Sequence, residues 1–164
     1  MKRILLNAAG RVGTAIMIFT EGTILKPKSW RSLYDHQAYI AIGNAAALIN
    51  AWQAQGANIV YGTSRKQKQA EHTAWLLLEL GFSGVCLLAR EGKETYGDLV
   101  EAAKPDILIE DDCKSIGGSW QMCITKVRPP LKAAIRSIVV PEFKGIDQLP
   151  ADLLQLQSYQ ASPK

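Results

Sequence analysis

At 164 residues, with 48% hydrophobic and 21% charged side chains, the chain has room for one globular domain with a single sizeable core and does not have the composition of a disordered or fibrous polymer. Its net charge of +4 comes from scattered lysines and arginines without a run of five, which gives a mild attraction to anions and no specific nucleic-acid motif. The cysteines Cys86, Cys113 and Cys123 are odd in number and lack C-x-x-C spacing, which argues against a disulfide framework or a closed zinc site and suits a reducing cytoplasm.

No apolar stretch is long enough to span a membrane, and MKRILLNAAG is too short in its apolar part for a signal peptide. Residues 1–14 read as an N-terminal arm or strand. The glycines of RILLNAAGRVG leave open an NAD(P)-binding reductase on the Asn7–Gly13 turn. Against it stand Asn7 at the first glycine position and a β-branched run where that motif needs a helix.

IMIFTEGTIL, 16–25, organises the rest: an apolar strand that halts at Glu21-Gly22-Thr23. KPKSWRSLYDHQ after it is polar, turn-like and too short for a cap domain. NAAALINAWQAQG, 44–56, reads as a helix with Asn44 at its N-cap and Gly56 at its end. ANIVYG is the second strand; Thr63-Ser64-Arg65 closes it, and KQKQAEHTAWLLLELG is the next helix.

GVCLLA, 84–89, is the third strand, and REGKETYGDLVEAAK is a helix whose first turn holds Lys93 and which stops at Pro105. ILIEDD, 107–112, is the fourth strand with carboxylates at its exit, and CKSIGGSWQ is a glycine loop suited to close approach by a ligand. SIVVPEF makes a fifth strand before a tail of loop and short helix over 144–164. The alternation predicts an α/β fold: a Rossmann-like three-layer sandwich, a mostly parallel five-stranded sheet with helices on both faces, no separate cap domain, and a core over about 15–143. Ligands of such sheets bind beyond the carboxyl ends of the strands.

Strands ending in T-E-G-T, T-S-R and E-D-D, with Lys93 before the last, resemble the haloacid dehalogenase-like (HAD-like) superfamily, as a small capless member with a degenerate first motif. The resemblance implies the first, second and fourth strands side by side. In the family's first motif, D-x-D-G-T, one aspartate attacks phosphorus and binds magnesium, and the second is general acid and base. Phe19-Thr20-Glu21-Gly22-Thr23 lies on that motif, with Phe19 at the nucleophile and Glu21 at the acid/base position. By the same resemblance Thr63 and Lys93 meet a phosphate, Gly22 and Thr23 match the motif, Glu21 and Lys93 take catalytic roles, and Asp111 and Asp112 hold magnesium, with Glu110 close by. Beyond the motifs, the residue types add Thr20, Thr23, Ser64 and Arg65 as phosphate-binding donors and Glu21 as a further magnesium ligand.

A phenyl ring neither attacks phosphorus nor ligates magnesium, so no aspartyl-phosphate forms at Phe19. The expectation is a pseudoenzyme that binds a phosphate-containing small molecule or phosphoprotein, or acts as a regulatory partner. The alternative is a magnesium-dependent phosphohydrolase that uses Glu21 and Asp111 on water without a covalent intermediate. An open, capless site goes in that family with macromolecular substrates or oligomers, and by resemblance a homo-oligomer is expected. His36 and His72 read as surface or helix-packing residues, Cys113 as structural, and Trp30 and Trp120 as candidates to line the mouth.

Overall fold

The strands of the main sheet are short, the central ones are apolar, and the sheet they build is parallel except at one edge. The structure, a computed structural model, describes residues 1–6, 13–29 and 38–160; most of the Asn7–Gly13 turn, Trp30 and His36 lie outside these. In chain order the described strands are β1 (Lys2–Leu5), β2 (Ala15–Phe19), β3 (Leu25–Pro27), β4 (Tyr39–Ala41), β5 (Asn58–Thr63), β6 (Cys86–Ala89), β7 (Ile107–Asp111) and β8 (Arg136–Val140). The helices are α1 (Ala45–Ala54), α2 (Gln67–Glu79), α3 (Tyr96–Ala103), α4 (Pro129–Lys132) and α5 (Leu153–Ser158).

The main sheet has six strands in the order β1-β6-β5-β2-β7-β8. β5, β6, β2, β7 and β8 are parallel, and β1 adds antiparallel to β6. The expected count of five is therefore corrected to six: KRIL alternates half-buried Lys2 and Ile4 with exposed Arg3 and Leu5, which is the pattern of an edge strand with one partly covered face. β2 lies between β5 and β7, with Phe19 opposite Gly62 and Ile18 opposite Ile109.

The period of two along β2 divides the core between the faces. Ile16 and Ile18 join Ile49, Trp52, Leu77 and Leu156 on one side, packed by α1, α2 and α5. Met17 and Phe19 join Leu88, Leu99, Val100, Leu108, Cys123 and Ile124 on the other, packed by α3 and the 3-10 turn Cys123–Lys126. Helices on both faces make the three-layer α/β architecture. The segment after β8 is part of it, because Ile146, Leu149, Leu153 and Leu156 are buried in the first cluster.

Two local departures bear on the site. α3 starts at Tyr96, where Thr95 and Asp98 form a capping box that supplies donors and acceptors to the first turn; Lys93 therefore sits in the preceding turn and not in the helix. KPKSWRSLYDHQ is flanked by a two-stranded ribbon, β3 with β4, which carries Tyr39 to the pocket described below. No helix among the described residues is long and apolar enough to cross a membrane.

Candidate functional site at the carboxyl end of the sheet

The chain leaves β2 in a tight turn held by Thr20. Its amide and hydroxyl both donate to the Gly62 carbonyl, at 2.9 and 3.1 Å, and its carbonyl accepts from Ile24 and Leu25. Gly22 takes φ +84° there, and a Cβ on it would lie 2.6 Å from Asp111 Oδ1. Only glycine allows both that backbone and that approach. Thr23, fully buried, donates its hydroxyl to Asp111 Oδ1 at 3.1 Å.

Glu21 turns toward β5. Its Oε1 accepts from Thr63 Oγ1 at 2.7 Å and Arg65 Nε at 3.1 Å, and its Oε2 from Thr63 Oγ1, Ser64 N and Ser64 Oγ at 3.0, 3.0 and 3.1 Å. Arg65 is 6% exposed, and its guanidinium carbon lies 4.2 Å from the centre of the Tyr39 ring, so an aromatic face supports the cation.

Acids gather at the end of β7 because two parallel strands finish level. Asp111 pairs with Val140 across β7 and β8, and the chain continues to Asp112 on one strand and Glu142 on the other. Asp111, Asp112 and Glu142 each offer an oxygen, and these lie within 4.8 Å of one another. Asp112 Oδ1 accepts from Glu142 N at 3.1 Å, and the Glu142 carboxylate accepts from Ser115 N and Oγ at 2.7 and 2.6 Å. Burial raises the Asp111 proton affinity and the Glu142 charge adds to it, against the Cys113 amide and the Thr23 hydroxyl. Glu110, on the opposite face of β7, is also raised by burial, although the Cys123 and Ile124 amides donate to it at 2.6 and 3.0 Å.

Between these groups lies a cavity of about 320 Å³. Phe19, Tyr39, Tyr96 and Phe143 contribute aromatic walls, and Glu21, Glu110, Asp111 and Glu142 contribute carboxylates. No lysine or arginine among the described residues lines it. The nearby guanidiniums are committed: Arg65 to Glu21, and Arg90 to the Tyr96 ring at 3.8 Å and the Tyr96 hydroxyl at 2.9 Å.

Phe19 is packed, 7% exposed, edge-on to Tyr96 with ring centres 5.9 Å apart. Its partner across the ladder is Gly62, where a Cβ would come within 2.9 Å of the ring. A bulky side chain on β2 is thus matched by an empty place on β5.

The all-oxygen donor set of Asp111, Asp112 and Glu142 has the chemistry of a magnesium or calcium site, and a divalent ion there would relieve the repulsion of three carboxylates drawn together. Glu21, expected as the third ligand, is not in this group; Glu142 is. Thr63, Ser64 and Arg65 meet at one place, and Gly22 lines the cavity. The hydroxyls of Thr20 and Thr23 are engaged by Gly62 and Asp111, and Lys93 is exposed and lines no part of the cavity. Trp120 is 78% exposed and does not line it either. Burial and the neighbouring carboxylates push the Cys113 thiol up to about 12. Glu142, Arg90, Tyr39 and Tyr96 are additions to the sequence reading.

No family model matches the chain, and no curated protein matches it in sequence. Among solved structures it is similar to the D,D-heptose 1,7-bisphosphate phosphatase from Burkholderia thailandensis, at 11% identity and TM-score 0.45 over 80% of this chain and 94% of that one. It is also similar to a universal stress protein in complex with cAMP, at 12% identity and TM-score 0.36 over 79% and 97%. Neither likeness assigns a residue or a ligand to this chain.

Proposed function

We propose that this chain is a HAD-like domain that does not transfer phosphoryl groups and works as a ligand-binding or regulatory protein. A divalent cation on Asp111, Asp112 and Glu142 would anchor a phosphate-containing ligand at the carboxyl end of the sheet. Phe19 carries this reading. Where a covalent mechanism needs a carboxylate at the tip of β2, the side chain is a buried ring packed on Tyr96 and Gly62, which has no lone pair to attack phosphorus or hold a metal. The cavity offers an anion no lysine or arginine among the described residues, so a phosphate would be held through the metal. One or two carboxylates plus phosphate oxygens is the usual way magnesium is bound.

Titration calorimetry with magnesium, then with inorganic phosphate, tests the proposal. The native chain should bind magnesium, and phosphate should bind only once magnesium is present; D111N should abolish both. Absence of heat with either in the native chain rejects it. Steady turnover of an aryl phosphate that is lost in D111N would reject it in favour of a hydrolase.

A further inference from the structure

Four donors at the end of β5, namely the Thr63 hydroxyl, the Ser64 amide, the Ser64 hydroxyl and Arg65 Nε, converge on one carboxylate, that of Glu21. They come from three consecutive residues, and α2 begins two residues later. Its N-cap Lys66 makes no side-chain cap hydrogen bond, and its first turn has no acidic residue, so no acid of the helix's own first turn offsets the positive end of its dipole. Such a set is built to receive an oxyanion.

A second observation shows that Glu21 does not exhaust it. Arg65 is more than nine-tenths buried, yet its Nη1 is buried with no hydrogen-bond partner among the described residues. A buried guanidinium nitrogen without an acceptor is costly. Glu21 bonds Nε and leaves this second donor to a further acceptor.

We infer that Glu21 is a resident anion of this cradle and the residue that closes it to free phosphate. The carboxylate reaches across from the turn after β2, fills the place of an oxyanion and neutralises Arg65. Inorganic phosphate, sulfate or a phosphate monoester would have to displace a tethered charge that already holds four donors. The native cradle therefore excludes them, and a phosphorylated ligand is left with the cation route through Asp111, Asp112 and Glu142. This rests on reading the carboxyl end of the sheet as the ligand site. It does not depend on the cation, and its test is run without divalent ions.

Removing the acid should turn the cradle into an open anion site, because E21A leaves the buried Arg65 guanidinium with the Tyr39 ring but without its carboxylate. Thermal melts of native chain, E21A and E21Q are compared with increasing inorganic phosphate in chelator, against chloride at equal ionic strength. The inference predicts that phosphate raises the melting temperature of E21A by about 3 °C or more and leaves the native chain unchanged. E21Q, which keeps the side-chain volume and loses the charge, shows the same effect more weakly. Adding R65M to E21A removes the gain.

Equal phosphate stabilisation of native chain and E21A overturns the inference, as does a folded E21A or E21Q indifferent to phosphate. If E21A folds only in phosphate, that supports it; if E21A never folds, E21Q decides. A failed magnesium titration of the native chain would remove the cation-anchored function and leave these outcomes unaffected.

Discussion

Glu21 Oε1 and Arg65 Nε lie 3.1 Å apart, and the pair holds the acid of the β2 turn away from the acids that end β7. One end of the pocket therefore carries an internally neutralised carboxylate, and the other carries carboxylates with no lysine or arginine among the described residues lining the cavity beside them.

Divalent-ion binding should follow that division. D111N, D112N and E142Q are each expected to weaken magnesium or calcium binding by about tenfold or more, because each removes one hard oxygen ligand. E21Q should change it by less than about twofold, since its carboxylate faces other partners. Calorimetry on the four variants reads this directly, and a large loss in E21Q alone would return Glu21 to the metal.

Restoring an aspartate at the tip of β2 should not restore catalysis. Phe19 is buried against Tyr96 over Gly62, so F19D places a carboxylate in an apolar slot and leaves a gap where the ring was. The expected loss is about 2–4 kcal/mol in denaturant unfolding. Aryl phosphate turnover should stay at background. Turnover by F19D would mean that a phosphate reaches the tip of β2 in the variant in spite of Glu21.

Much of this arrangement is legible in the sequence, for reasons that can be named. Apolar runs of four to six residues bounded by glycines and polar clusters mark the parallel strands, and TEGT, TSR and EDD follow those runs, so a parallel sheet brings them to one end. β1 is harder to read, since KRIL is short and only half-buried. Glu142 is hidden by distance: it lies thirty residues after Asp112 and becomes its neighbour only through the β7–β8 pairing. The acid closing SIVVPEF beside the acids closing ILIEDD is the signal that would have found it. Lys93 has the spacing expected of a site lysine, but the capping box Thr95–Asp98 starts α3 beyond it. The commitment of Glu21 to Arg65 depends on where each side chain points after two neighbouring strands end, which spacing alone does not fix.

Burial raises the Glu110 carboxyl above its ordinary 4.5, and the sign of its effect on stability follows. The folded chain holds this proton more tightly than the unfolded chain, so stability falls as pH rises across the interval. The contribution is complete below 4.5 and is lost as pH passes the raised value. E110Q, which cannot titrate, should show a flatter melting-temperature profile between acidic and neutral pH than the native chain. A slope unchanged by the substitution would contradict this origin.

The cysteines should be slow to alkylate. Burial raises the Cys86 thiol, takes Cys113 to about 12 and raises Cys123 well above its ordinary value. The reacting species is the thiolate, and at pH 8 a thiol at 12 is ionised to roughly one part in ten thousand. Iodoacetamide labelling followed by peptide mass spectrometry should therefore find Cys113 largely unmodified at pH 8 and increasingly modified as pH rises, with full labelling after denaturation. Rapid labelling of Cys113 in the folded chain at pH 7 would contradict the environment described.

The ring of Phe19 leaves the tip of β2 without a group that can take a phosphoryl group. Mass spectrometry of the intact native chain after incubation with acetyl phosphate and magnesium tests it most directly. The predicted result is no phosphoryl adduct in native chain or D111N. A stoichiometric adduct in the native chain, mapped to a carboxylate at the end of β2, would contradict it.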